Sequence, residues 1–163
     1  MTPKCLYARR LSLATVAAAL TTFIATLPPA QAGQCPAAQV TKDGQSPGPA
    51  AHVRVTDKVL TMIPLAQENV HLKEHALRLR RLVVQPGGVV AWHSHGERPA
   101  IIFIVSGTIQ EYRSTCAVPI VHKAGEATEE VHTTSHWWKN HTSKPVVLYS
   151  ADILHDKDDQ HTM

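Results

Sequence analysis

The 163-residue chain has no long amphipathic helical period, no internal repeat and no sign of a second domain. Those absences argue against helix bundles, solenoids and sheets joined by crossover helices, each of which needs such a pattern. A charge of one sign is also missing. The formal net charge is +3, but Lys4, Arg9 and Arg10 lie in the first 32 residues while all 13 acidic residues lie beyond them, so 13 of each sign remain after that point. No basic stripe is left for nucleic acid, which is excluded as a partner. The run Arg78-Leu-Arg80-Arg81 alternates like a strand and is expected to turn Arg78 and Arg80 to solvent, opposite Leu77 and Leu79. No residue stands out as a nucleophile or as half of an acid/base pair, which weakens any reading as an enzyme that needs one.

Cysteine is scarce, at three residues. Cys5 falls in a segment that reads as an export leader: basic Lys4, Arg9 and Arg10, an apolar stretch from Leu11 to Leu27, and Ala30-Gln31-Ala32 as a cleavage site before Gly33. The apolar stretch carries four Thr and ends at Pro28-Pro29, so cleavage is favoured over a retained span and no stable membrane anchor is expected afterwards. Arg9-Arg10-Leu11-Ser12-Leu13 weakly resembles a twin-arginine signal, and the choice between that route and the general secretory one stays open. Gln34 before Cys35 argues against lipidation. A periplasmic or secreted chain keeps Cys35 and Cys116, an even pair that reads as a disulfide.

Short strand candidates recur between turn signals, at about 58–64, 76–85, 89–95, 100–105, 108–113, 117–122, 127–131, 136–140 and 146–153. The chain therefore divides into a leader (1–32), a flexible arm rich in Ala, Pro, Gly, Gln and Ser (33–56), one antiparallel all-β sandwich or barrel (57–158) and a short tail (159–163).

All 11 histidines lie beyond the leader, and three form a pattern. In Gly87-Gly-Val-Val-Ala-Trp-His93-Ser-His95 the two imidazoles share one face of an extended strand and so are able to share a cation. Gly125, eleven residues before His136-Trp137-Trp138-Lys139-Asn140, brings a third at the start of another strand. Spaced with Gly107, these residues resemble the two motifs of the cupin superfamily, over roughly residues 77–155. The resemblance implies a jelly-roll β-barrel, a divalent transition metal (Fe, Mn, Ni, Cu or Zn) on His93, His95 and His136, and a small-molecule ligand in the barrel. Two departures matter. Ala100 stands where the first motif has a ligating Glu, and Val131-His132-Thr133 replaces the P-x-G turn of the second. Glu97 and His132 are the candidate replacements for the lost ligand.

Alternation then predicts the pocket. Val89 and Ala91 should face inward with His93 and His95, joined by Ala100, Ile102 and Ile104 from the next strand and by His136, Trp138 and Asn140 from the third wall. His132 is placed at the mouth and His122 at a strand end or surface. Three neutral imidazoles leave the ion its full charge, which suits an anionic or chelating ligand. Two functions are expected: a dioxygenase or other oxidoreductase, or a non-catalytic binder of a small ligand or metal. Trp92, Trp137, Ile101 and Phe103 on the outer face lead to an expected homodimer, unless the arm covers that face within one chain.

Overall fold

The computed structural model describes residues 33–155; the leader and the tail lie outside the described residues. Eight strands follow one another: β1 (Val53–Pro64), β2 (His75–Ser94), β3 (Ala100–Ser106), β4 (Thr108–Arg113), β5 (Ile120–Lys123), β6 (Ala127–Glu130), β7 (Ser135–Lys139) and β8 (Val146–His155). All pairings are antiparallel, in the order β5-β4-β7-β2-β8-β3-β6 with β1 added beside β2, and the sheet curls on itself into the jelly-roll architecture expected from the sequence. Short 3-10 turns at Ala37–Gln39 and Leu65–Gln67 are the only helices among the described residues, and none is long and apolar enough to cross a membrane.

The curl comes from β2. Its first half pairs with β1 and β8 through residues 75–84, and its second half pairs with β7 from Val89 to Ser94. Between them Pro86-Gly87-Gly88 turns the strand, Gly87 taking a φ of +73° that side chains disfavour. A Cβ on Gly88 would sit 2.7 Å from the Gln85 carbonyl oxygen. The two strands read separately at 76–85 and 89–95 are thus one bent strand.

Inward residues alternate along each strand, as in Val146, Leu148, Ser150, Asp152 and Leu154 of β8, all buried. The apolar core gathers Leu82, Val84, Val90, Ile102, Ile104, Ile109, Trp138, Val146 and Leu148. The expectation for the arginines is overturned. Arg78 and Arg80 share inward parity with Leu82 and Val84 and are buried, while Leu77 is 41% exposed. Their charges are met inside: Arg78 lies opposite Asp152 in the β2–β8 register and donates to it at 3.0 and 2.5 Å, and Arg80 donates to Asp57 at 2.7 Å. The phase of a strand is set by its whole length, and the more apolar pair, Leu77 and Leu79, lost to that continuity.

The arm lies along the end of β4. Thr41, Gly44 and Gln45 donate backbone N–H bonds to the carbonyls of Thr115, Ser114 and Arg113, Ala117 returns one to Gln39, and a disulfide joins Cys35 to Cys116. Closing a loop of 81 residues stabilises the fold by about 4 kcal/mol in the chain-entropy picture. Gly48 lies against the indole of Trp137, where a Cβ would come within 2.5 Å of the ring, and Trp92 N–H donates to the Pro49 carbonyl. Trp137 also stacks on Tyr112 at 3.9 Å. The arm covers Trp137 within one chain, whereas Ile101 and Phe103 on β3 stay 60% and 42% exposed.

Candidate metal centre

His93 ends β2 and pairs in register with His136 on β7. Two residues further along β7, Trp138 pairs with Val90, three residues back on β2, so β2 carries one extra residue in a bulge. The bulge flips the parity of the strand, and Val90 faces inward with the histidines where Val89 and Ala91 were expected. His95 follows the strand, its N–H held by the Thr134 carbonyl.

The three rings meet at their Nε2 atoms. Those nitrogens are 3.1 Å (His93 to His95), 3.0 Å (His95 to His136) and 3.0 Å (His136 to His93) apart. Each Nδ1 faces an acceptor: the Ala91 carbonyl at 2.9 Å, the Arg98 carbonyl at 2.8 Å, and Glu111 Oε1 at 2.6 Å, respectively. An acceptor at Nδ1 fixes the proton there and turns the Nε2 lone pair inward. The Trp138 indole N–H, aimed at His136 Nε2 from 3.4 Å, agrees with that assignment. Three lone pairs converging within hydrogen-bond distance repel one another unless a cation lies among them. With metal–nitrogen bonds of about 2.1 Å, perpendicular ligands are about 3.0 Å apart and tetrahedral ones about 3.4 Å, so the observed spacing fits a divalent ion bound on one face. Protons fit less well. Burial, the neighbouring His136 and the charge of Arg98 push His93 down to about 2 and His95 down to about 4, and burial also lowers His136.

Behind His136 stands a network that sequence reasoning missed. Glu111 is fully buried and joins His136 through Oε1 to His122, whose Nε2 lies 2.9 Å from Oε2. Arg113 reaches Glu111 at 2.6 Å and Glu130 at 2.9 Å. Burial works to raise the Glu111 carboxyl, but the hydrogen bonds from His122 and His136 and the charge of Arg113 outweigh it and hold Glu111 well below the usual carboxylate range. Burial and the adjacent Glu111 push Glu130 well above that range. His122, expected at a surface or strand end, is wholly buried. The signal was present in the alternation: Glu111 shares parity with Ile109, His122 with Ile120, and Asp152 with Leu148 and Leu154.

A cavity of about 20 Å³ opens onto the three nitrogens, lined also by Arg80, Leu82, Val90, Ile102, Trp138, Leu148 and Ser150. It has room for roughly one water-sized group. Of the expected pocket residues, Ile102 and Trp138 line it. Ala100 and Ile104 are buried in the wall without lining it. Asn140 is buried but fastens a turn, donating to the carbonyls of Val84 (3.0 Å) and Lys144 (2.8 Å) and accepting from Thr142 N–H. His132 and Glu97 are exposed and do not line the cavity, and neither takes the place of the missing carboxylate.

The Cupin domain family model matches residues 80–152, the span from the buried arginines to Asp152 that contains all three histidines. The chain carries a cupin domain over those residues. Solved cupins share the fold at low identity. A predicted oxalate decarboxylase from Thermotoga maritima aligns over 71% of this chain and 97% of its own, with 21% identity and a TM-score of 0.52. KdgF from a Halomonas species aligns over 63% and 82%, with 16% identity and a TM-score of 0.49. A conserved barrel domain protein of the Cupin 2 type from Salinispora arenicola aligns over 71% and 81%, with 16% identity and a TM-score of 0.47. No curated protein sequence matches the chain.

Proposed function

We propose that this cupin is an exported protein that holds one divalent transition ion on His93, His95 and His136 and acts as an oxidoreductase, of the dioxygenase type, on a small anionic or chelating substrate. The observation that carries the reading is the meeting of three Nε2 lone pairs whose tautomers are fixed from behind. Such an ion, when bound, supplies Lewis acidity and, for redox-active metals, electron transfer.

The chain's own residues bear on the substrate. Besides the histidines, Arg80 and Ser150 are the polar lining of a cavity otherwise walled by apolar side chains, and with Arg80 already donating to Asp57 the bound ion itself is the group that would draw a small anion. Among the described residues no carboxylate lines that cavity. Chemistry that needs a protein base therefore has little support, and redox chemistry at an ion does not require one. The same absence favours the second reading, a non-catalytic binder of a small ligand or metal. The disulfide supports an oxidising compartment.

Oxygen uptake separates the two readings. Protein loaded in turn with Fe²⁺, Mn²⁺, Ni²⁺ and Cu²⁺ is expected to consume oxygen with a member of a panel of thiols, diketones and phenols, and the His136→Ala variant is not. Binding of panel members without turnover under every metal would replace the oxidoreductase with the binding protein.

A further inference from the structure

Gly33, the residue that follows the Ala30-Gln31-Ala32 cleavage site, does not hang free at the end of the arm. Its neighbour but one, Cys35, is tied to Cys116, which keeps Gly33 close to the barrel. There the side of its Cα where a side chain would stand faces two side-chain atoms. A Cβ built on Gly33 would stand 3.0 Å from His122 Nδ1 and 3.2 Å from Glu126 Oε2. His122 Nδ1 is buried with no hydrogen-bond partner, while the other ring nitrogen is committed to Glu111. Glu126 Oε2 accepts one backbone bond, from Lys123 at 2.8 Å. A neutral imidazole whose Nε2–H goes to a carboxylate has a lone pair at Nδ1, and a buried lone pair without a donor costs free energy.

We propose that His122 and Glu126 form a docking site for the α-ammonium group that cleavage after Ala32 creates on Gly33. This rests on the export reading. A peptide nitrogen at this position has one hydrogen and no charge; an ammonium has three hydrogens and a positive charge, enough to donate to His122 Nδ1 and to pair with Glu126 at once. Glycine suits the position twice over. Its φ is +80°, and any side chain would press on the imidazole. The ammonium then terminates a hydrogen-bonded path through His122 and Glu111 to His136, so processing of the leader completes the charge arrangement behind the candidate metal centre.

Amine labelling tests the docking. Oxidised chains beginning at Gly33 and at Ala32 are released from a cleavable fusion and reacted under native conditions with an amine-specific acylating reagent at neutral pH, the N-terminal peptide being followed by mass spectrometry. An ammonium whose ionisation is raised by one unit through its partners reacts about tenfold more slowly, so the Gly33 amine is expected to lag the Ala32 amine by about that factor, and Glu126→Gln is expected to remove most of the lag. Equal rates for the two folded chains, or a Gly33 rate indifferent to Glu126→Gln, would overturn the docking site. Intact mass of the natively exported protein tests the export reading separately. A first residue other than Gly33 would overturn the proposal at that step, whatever the labelling shows.

Discussion

Two buried ionic clusters flank the histidines, and they are opposite in make-up. On the β2–β8 side Asp152 lies among Arg78, Arg80 and Arg98, at 2.5, 3.7 and 3.7 Å, and Asp57 meets Arg80 at 2.7 Å, so guanidinium groups outnumber carboxylates. On the β4–β6–β7 side one guanidinium, Arg113, lies between Glu111 and Glu130. Each reaches the triad once, by different chemistry. The arginine-rich cluster holds the loop after His95, whose Nδ1 donates to the neutral Arg98 carbonyl. The carboxylate-rich one accepts the Nδ1 proton of His136 directly on ionised Glu111. The first fixes where a ligand stands; the second also raises how strongly it donates to a metal. The negative charge that the family places at residue 100 is thus found one bond network away, behind His136.

The comparison predicts unequal responses. Asp152→Asn removes the carboxylate from three guanidinium groups in a dry interior and is expected to destabilise the metal-free protein by about 3–5 kcal/mol in denaturant unfolding. If the arginine-rich cluster merely fills space, the loss will be under about 1 kcal/mol, the range of surface pairs. Glu111→Gln keeps an acceptor at His136 but removes the charge, and metal affinity is expected to fall about 10- to 100-fold by competition with a chelator, with the fold retained. An unchanged affinity would place Glu111 in a purely structural role and erase the contrast between the two clusters.

The pH response is gentler. His93 and His95 have folded values lowered from 6.5 to about 2 and about 4, so the unfolded chain takes up their protons first. That makes the unfolded state the larger proton binder below about 6.5, and stability of the metal-free protein is fully kept above that pH and lost as pH falls toward about 4. For the same reason the imidazoles stay unprotonated in the folded protein at pH 5.5, where metal is expected to be retained. Release tracking a midpoint near 6.5 would mean solvated histidines. Smallest in effect, deletion of 33–50 uncovers Trp137, and light scattering is expected to show more self-association than in the chain from Gly33 onward.

The sequence carried the fold well because turns at Gly107 and Gly125, the bend at Gly87 and the alternation along each strand leave few other architectures. It carried the three histidines for the same reason, since their two-residue and cross-strand spacings are properties of the pleat. It did not carry their surroundings. Arg78, Arg80, Glu111, His122 and Glu130 were assigned outward, or passed over, because polar residues are mostly exposed when nothing is known of their partners. Their partners, Asp152 and Arg113, lie 74 and 17 residues away from Arg78 and Glu130, and only the register brings them together. The bulge in β2 was invisible for a related reason: one inserted residue leaves no mark in composition yet reverses every side chain beyond it.

Anomalous diffraction from crystals of the chain from Gly33 onward grown with a divalent transition ion, recorded on both sides of that metal's absorption edge, tests the central claim most directly. The account predicts one peak per chain, bonded to the Nε2 atoms of His93, His95 and His136 at about 2.1 Å, with Glu111 and Glu130 outside bonding range. A peak bonded instead to Glu111 and Glu130, or a well-ordered triad with no peak at saturating metal, would contradict it.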